Sequence, residues 1–252
     1  MANRYFIKLA YKGTNYHGWQ IQPNANTVQH EVNQSLSTLL GVEIQCTGCG
    51  RTDTGVHASE FYAHFDLEKT IKNTQETTYK LNGCLPLDIA ILEIFQVNED
   101  THTRFDAIDR TYTYRISRKK NPFNQDYAYY LYGDLNIEAM QNAAKIIMEY
   151  TDFSCFSKSG TQNKTNDCTI KAAHWKEKSN ELIFTITANR FLRNMVRAIV
   201  GTMIEMGKGR SNEIQLRNII ESKDRSSAGY SVPAHGLYLT KIEYPQSINI
   251  NQ

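Results

Sequence analysis

The sequence of 252 residues predicts an α+β fold made of two ferredoxin-like βαββαβ units. Segments with the alternating pattern of strands are interspersed with segments of helical spacing, and the order in the first half returns in the second. The halves have no residue-level similarity, so the predicted repeat is one of architecture alone. Two open antiparallel sheets lying side by side would leave a central cleft, which is the natural binding site in such an arrangement.

The first half has the order strand, helix, strand, strand, helix, strand. Residues 4–12 alternate as a strand does, and residues 27–40 place apolar side chains at helical spacing after Asn26 or Thr27, either of which would cap the helix. The other predicted elements are strands at 43–49, 59–67 and 89–97 and a helix at 74–84.

The second half repeats this order after a joint at residues 98–105, with one additional helix. Two polar or tyrosine-rich insertions, at residues 124–133 and 157–167, are where loop function or mobility tends to lie. We therefore predict an N-terminal domain at residues 1–102 and a C-terminal domain at residues 103–252. The elements of the second half are strands at 110–118, 169–178, 181–188 and 237–244 and helices at 137–150, 191–207 and 212–222.

The composition is that of an ordinary soluble globular protein, with 40% hydrophobic and 21% charged residues. A net charge of +2 is only mildly basic, so any nucleic-acid function must come from where the charges lie. No apolar run has the length of a membrane span or of a signal-peptide core, so we expect a cytoplasmic protein. Five scattered cysteines form no disulfide framework, and Cys46 and Cys49 have metal-ligand spacing without a second pair to complete a zinc site.

The most informative segment is the loop at residues 50–58, GRTDTGVHA. It places Asp53 between glycines, where neither a helix nor a regular strand runs easily. Arg51 is close enough in sequence to keep the carboxylate of Asp53 ionised, which suits a nucleophile and not a general acid. A surface turn, in which Asp and Thr bind the backbone and the glycines only permit the bend, explains the same residues. The loop alone does not decide between these interpretations.

Basic residues form two clusters, and the first is interleaved with Tyr112 and Tyr114. Arginines with aromatic side chains on a sheet hold phosphates and stack bases, although a solvated charged face has the same composition. We expect Arg110 from the first cluster and Arg193 from the second to bind substrate. The clusters comprise Arg104, Arg110, Arg115, Arg118, Lys119 and Lys120, and then Arg190, Arg193, Arg197, Lys208 and Arg210.

The predicted helix at residues 191–207 carries both an apolar face and two of these arginines. Arg193 and Arg197 are four residues apart, so a helix would place them on a common side. Because an arginine beside a core face is usually paired with a carboxylate, Asp53 is a candidate partner for one of them.

The loop at residues 50–58 closely resembles the signature of the TruA-type tRNA pseudouridine synthases. Thr54 departs from that signature, since it stands where we expect alanine in the family loop. The resemblance runs from Arg4 to about Tyr244. The other matching segments follow in the family's order: 16–20 (YHGWQ), 27–29 (TVQ), 105–114 (FDAIDRTYTY), 195–201 (MVRAIVG) and 233–239 (PAHGLYL).

This resemblance implies a pseudouridine synthase fold and the isomerisation of uridine to pseudouridine at positions 38 to 40 of the tRNA anticodon stem-loop. It implies a homodimer that binds RNA in the central cleft and needs no metal, redox cofactor or ATP. Asp53 would be the nucleophile, and Arg197 the arginine that pairs with it. Tyr112 and Leu237 would sandwich the target base, with Tyr112 also accepting or relaying the C5 proton. Arg51 would replace the base in its stem while the base is flipped out.

Two functions of other classes remain open. Asp53 begins the tripeptide Asp-Thr-Gly of aspartic proteases, but those enzymes need two aspartates that share a proton, and an adjacent arginine is the wrong neighbour for that. A non-catalytic RNA-binding protein would need the basic and aromatic sheet but not Asp53.

Overall fold

The structure is a computed structural model that describes residues 3–158, 160 and 164–248. Its contacts divide the chain into two compact units, one of Met1–Ile108 with Leu239–Gln252 and one of Asp109–Tyr238. The predicted boundary lies between residues 102 and 103, so the unit division falls later in the chain and the last strand groups mostly with the first unit. None of the helices in the described ranges has the length and apolar composition needed to cross a bilayer.

Between residues 3 and 108, the described part of the first unit contains four strands and two helices in the predicted order. They are β1 (Asn3–Tyr11), α1 (Val28–Leu40), β2 (Thr47–Gly48), β3 (His57–Leu67), α2 (Thr74–Cys84) and β4 (Ile89–Val97). β1 pairs antiparallel with both β3 and β4, and β2 pairs antiparallel with β3. This is the strand order of a ferredoxin-like unit, as predicted. The core of the unit includes the fully buried Phe6, Leu9, Leu36 and Phe61.

The strand predicted at residues 43–49 is wrong over its first part, because only Thr47–Gly48 pairs with a neighbour. Side chains of α1 bind the backbone just before it: Ser37 Oγ accepts from the N–H of Ile44 at 2.8 Å, and Asn33 Oδ1 from that of Cys46 at 2.9 Å. Those N–H groups are therefore satisfied without a strand partner. β3 begins at His57, within the 50–58 loop motif and two residues before its predicted start.

The second unit contains β5 (Asp109–Ser117), β6 (Tyr129–Tyr130), α3 (Ile137–Ile147), β7 (Ile170–Lys178), β8 (Glu181–Ala188), α4 (Met195–Gly207) and α5 (Glu213–Ser222), and β9 (Leu237–Glu243) follows it. β8 pairs antiparallel with both β5 and β7, and β6 pairs parallel with β5. Arg197 and Glu205 are the members of α4 that are not buried, so α4 is the central helix of this unit. Both units combine helices with mostly antiparallel strands, which confirms the predicted α+β class. The side-by-side placement of two sheets and the cleft stay predictions.

The helix predicted from residue 191 begins instead at Met195. Asn194 immediately before it has a φ of +67°, in the left-handed region, and its side-chain amide donates to Ser231 Oγ at 2.6 Å. A left-handed residue cannot continue a helix, so Arg193 lies outside α4. The prediction that Arg193 and Arg197 share one helix face is therefore wrong.

The two predicted insertions have different outcomes. The first, at residues 124–133, contains the short strand β6, which the sequence did not predict. In the second, at 157–167, residues 159 and 161–163 lie outside the described residues.

The helix predicted to residue 150 ends at Ile147 and is capped at its start by Asn136, whose Oδ1 accepts from the N–H of Ala139.

Candidate active site

Asp53 is the first residue of a tight turn between β2 and β3. Its carbonyl accepts a hydrogen bond from the N–H of Val56 at 3.1 Å, and Gly55, at the third position of the turn, has a φ of +77°. Glycine adopts that conformation without steric cost, and type II turns require it. Gly50 is different, because a Cβ there would meet no atom within 4 Å and its φ is not positive. One of the two glycines flanking Asp53 is therefore needed for the turn that presents it.

The side chains of this turn differ in their exposure. Asp53 is partly exposed and Arg51 is exposed, whereas Thr52 between them is buried. The hydroxyl of Thr52 lies 2.8 Å from that of Tyr11, so one side of the loop is fixed to the end of β1. The exposure of Arg51 is compatible with its predicted contact with RNA.

The segment at residues 13–19, just after β1, packs closely against the backbone of this loop. Tyr16 O accepts from the N–H of Gly55 at 3.2 Å, and the N–H of Trp19 donates to Thr52 O at 3.4 Å. A Cβ on Gly18 would lie 2.2 Å from Thr52 O, far inside normal contact. The loop is thus held by backbone contacts that only glycine permits at this position.

Gly13 makes a similar approach to the end of the loop. A Cβ there would lie 2.0 Å from Val56 O, and the Gly13 N–H donates to Nδ1 of the buried His57 at 3.0 Å. The sequence resemblance included residues 16–20 but gave them no role. Their function as a support for the Asp53 loop is visible only in the folded unit.

In the second unit, Tyr112 and Arg110 lie on β5 beside the connection between β8 and α4. Tyr112 is partly exposed and contacts Phe191 edge to face, with ring centroids 5.1 Å apart. Arg110 Nη1 donates to Asn189 O at 2.8 Å. The structure therefore brings both predicted substrate-binding residues of β5 against residues 189–191.

Several members of the first basic cluster bind groups of the protein itself. Arg115 makes a two-pronged ion pair with Glu181 at 2.8 to 3.0 Å, and its guanidinium lies 5.7 Å from the ring centroid of Tyr238. Arg118 donates to Leu131 O at 2.8 Å and to Gly133 O. The guanidinium groups of these two arginines are therefore engaged by the protein itself, which neither the solvated face nor the phosphate contact had predicted.

Tyr114 is fully buried, and its hydroxyl donates to Pro233 O at 2.8 Å. Burial raises the pKa of this hydroxyl well above its usual range, so it stays protonated. Tyr114 is therefore a core residue and not a platform for stacking bases, in contrast to Tyr112.

The segment at residues 232–237 contacts Arg197 at its first residue and ends with Leu237. Arg197 Nε donates to Val232 O at 2.7 Å, and the N–H of Val232 donates back to Arg197 O at 3.2 Å. Further along, a Cβ on Gly236 would lie 2.7 Å from the Tyr114 ring, and the Leu237 side chain is 6% exposed. The segment thus fixes the plane of the Arg197 guanidinium.

Two predicted site residues, Arg193 and Asp53, make none of the contacts described above for the second unit. Arg193 is exposed, and its carbonyl accepts from the N–H of Lys158 at 3.0 Å. Asp53 belongs to the first unit and Arg197 to the second, and their pairing stays a prediction.

Among the described residues, no three His, Cys, Asp or Glu side chains gather in a way that could hold a metal ion. Cys46 and Cys49 are both buried, and burial raises the pKa of the Cys46 thiol. Cys49 Sγ accepts from the N–H of Tyr62 at 3.5 Å. These two thiols are core groups of the first unit.

The fold and these loops define an α+β protein that presents an aspartate from a glycine turn and an arginine from a central helix. A family model described as tRNA pseudouridine synthase matches residues 150–245. The tRNA pseudouridine synthase A of Parabacteroides distasonis is 49% identical over 245 residues, which cover 97% of each chain. That of Bacteroides thetaiotaomicron is 50% identical, covering 97% of this chain and 92% of its own, and that of Azobacteroides pseudotrichonymphae is 51% identical, covering 98% of each. This chain belongs to the tRNA pseudouridine synthase A family.

Proposed function

We propose that this chain is an isomerase that converts uridine to pseudouridine at positions 38 to 40 of the tRNA anticodon stem-loop, with Asp53 as the nucleophile. Relatives of about half identity over nearly the full length, each named tRNA pseudouridine synthase A, support the activity. The observation that carries the assignment of Asp53 is its partly exposed place on a turn fixed by Gly55 and by the backbone of residues 13–19.

The reaction exchanges bonds within one nucleotide. The bond between ribose C1′ and uracil N1 breaks, the uracil turns, and a bond forms between C1′ and C5. The proton leaves C5 and N1 gains one, so no oxidant, reductant or hydrolysis is needed. Asp53 either attacks C1′ or assists the departure of uracil. A carboxylate held on a fixed turn has little freedom to lose before it reacts, which lowers the entropic cost of the step.

The other roles fall to residues of the second unit and to Arg51. Tyr112, partly exposed on β5, stacks on the base and accepts or relays the C5 proton, while Leu237 covers the other face of the base. Arg197, whose Nε donates to Val232 O, pairs with Asp53 and orients its carboxylate. The exposed Arg51 replaces the flipped base in its stem.

Binding of tRNA depends on phosphate contacts by dispersed basic residues, among them Arg110 and the exposed Arg193. We propose that the protein acts in the cytoplasm as a homodimer in which one tRNA touches both subunits. That arrangement explains a net charge of only +2, because each chain covers part of the RNA. Sedimentation with and without tRNA measures the mass of the assembly, and a monomer under both conditions contradicts the dimer.

The test of function is the release of tritium from tRNA carrying 5-tritiated uridine, with no added metal or cofactor. We expect release by the intact protein, and a loss of at least about 10³-fold in Asp53→Asn with little change in tRNA affinity. Release that persists in Asp53→Asn contradicts the nucleophile. A protein that binds tRNA and releases no tritium from any anticodon-arm uridine is the non-catalytic RNA-binding alternative.

A further inference from the structure

Asp88, the residue before β4, binds Lys12 and two residues of the 13–19 segment that supports the Asp53 loop. Its Oδ1 accepts from the hydroxyl of Tyr16 at 2.5 Å, and its Oδ2 accepts from the side-chain amide of Asn15 at 3.0 Å. Its carbonyl accepts from the N–H of Lys12 at 2.8 Å. One partly exposed aspartate thus fixes residues 12–16 through three separate acceptors.

Tyr16 connects this anchor to the turn that presents Asp53. Its side chain is 3% exposed and ends at Asp88, while its carbonyl accepts from the N–H of Gly55 within the turn. Its own N–H donates to Gly13 O at 3.0 Å, which keeps the segment folded on itself. A displacement of Tyr16 therefore moves a backbone partner of the Asp53 turn.

We propose that Asp88 is a positioning residue for the Asp53 loop and that it acts through the hydroxyl and carbonyl of Tyr16. The inference rests on the proposed function, because it concerns how the same loop is held. A hydrogen bond from a buried hydroxyl to a carboxylate is among the strong ones, and 2.5 Å lies at the short end of their range. Burial and the negative charge of Asp88 both raise the pKa of Tyr16, so the hydroxyl keeps the proton that it donates.

The expected consequence of breaking this contact is a slower chemical step with unchanged substrate binding. A shift of about 1 Å in a reacting group costs about 10²-fold in rate, so we expect losses of about 10- to 100-fold when the Asp88 to Tyr16 contact is removed. Because the proposed function assigns the tRNA contacts to residues other than Asp88 and Tyr16, the affinity of these variants for tRNA should stay within about twofold of that of the unchanged protein.

The experiment measures single-turnover tritium release and tRNA affinity for Tyr16→Phe, Asp88→Ala and the double variant. Each single variant should lose about 10- to 100-fold in rate, and the double variant should lose no more than the worse single one, because both changes remove one interaction. Asp88→Asn keeps an acceptor for the Tyr16 hydroxyl, so it should recover most of the rate lost in Asp88→Ala. Tyr16→Phe keeps the ring and serves as the readout should Asp88→Ala not fold.

The matched control is Tyr5→Phe, in the same unit. Tyr5 is also buried, and its hydroxyl accepts from the N–H of Ile71, in the connection between β3 and α2. Removing this hydroxyl should lower stability as Tyr16→Phe does and change the rate by less than about twofold. Equal rate losses in Tyr5→Phe and Tyr16→Phe, or losses that multiply in the double variant, overturn the positioning role. Full rates in both Tyr16→Phe and Asp88→Ala overturn it while leaving the proposed function intact, whereas no release by the unchanged protein overturns both.

Discussion

Replacing Gly18 with alanine should damage the Asp53 loop beyond its effect on the backbone of Gly18 itself. Gly18 has a φ of +88°, which costs a residue with a Cβ about 1–2 kcal/mol. The added Cβ would also lie 2.2 Å from Thr52 O and 3.2 Å from Asp53 C. Relief of such an overlap requires a backbone shift of about 1 Å and costs a further 1–3 kcal/mol or so. The variant should therefore lose about 2–5 kcal/mol of unfolding free energy, and about 10²-fold in rate through misplacement of Asp53.

Gly41→Ala is the matched control, because it separates backbone strain from the overlap. Gly41 follows α1 with a φ of +70°, but a Cβ there would meet no atom within 4 Å. It should lose about 1–2 kcal/mol and keep its rate of tritium release. Urea denaturation gives the first quantity and single-turnover release gives the second. Equal stability losses, or a normal rate in Gly18→Ala, would refute the view that the 13–19 segment sets the loop.

Two further predictions concern charge. Arg197→Ala should reduce turnover at least about 10²-fold and tRNA affinity by less than about fivefold, since Arg197 pairs with Asp53 in the proposed mechanism; equal losses would make it a phosphate contact instead. His64 is buried with Nδ1 2.9 Å from Thr103 Oγ1, and burial first, then the nearby Arg4, lowers its pKa to about 4. Because the unfolded chain then binds more protons between about pH 6.5 and 4, stability should fall as the pH falls through that window. Urea midpoints measured across this pH range should fall in the intact protein and fall less in His64→Gln. An equal dependence of the midpoint on pH in both proteins would contradict the role of His64.

Local periodicity was enough to predict most of the elements. The strand β8, Glu181–Ala188, was predicted with the bounds that the structure has, because its residues alternate strictly between buried and less buried positions. The helix α2 was likewise predicted at Thr74–Cys84. In β8 the alternation reflects which face packs on the core, whereas in α2 Leu81 is the buried residue and Asn73 caps the start of the helix.

Two of the errors occur where a side chain from outside the segment binds it. The strand predicted at residues 43–49 is lost because Asn33 and Ser37 bind its N–H groups. The start of α4 moves to Met195 because Asn194 adopts a left-handed conformation and binds Ser231, which is 37 residues away in sequence. Sequence periodicity carries no information on such contacts.

The candidate site shows the same limit. Asp53 is a candidate because the glycine loop around it is local and unusual, and its role as the nucleophile comes from the resemblance. The residues that hold its loop, Tyr16 and Asp88, are not predicted, because they are separated by 72 residues and no pattern in the sequence joins them. The strand pattern treats Tyr112 and Tyr114 alike and the resemblance singles out Tyr112, but only burial shows that Tyr114 belongs to the core.

The most direct test of Asp53 as the nucleophile compares the unchanged protein with Asp53→Asn on one tRNA, labelled with tritium at C5 of a uridine in positions 38 to 40. Both proteins are brought to the same fraction of bound tRNA, so that the comparison reports chemistry alone. Asp53→Asn replaces one carboxylate oxygen with an amide nitrogen, so it keeps the shape of the side chain and removes its charge. We predict tritium release by the unchanged protein and a rate lower by at least about 10³-fold in the variant. Equal rates at equal occupancy would contradict the assignment.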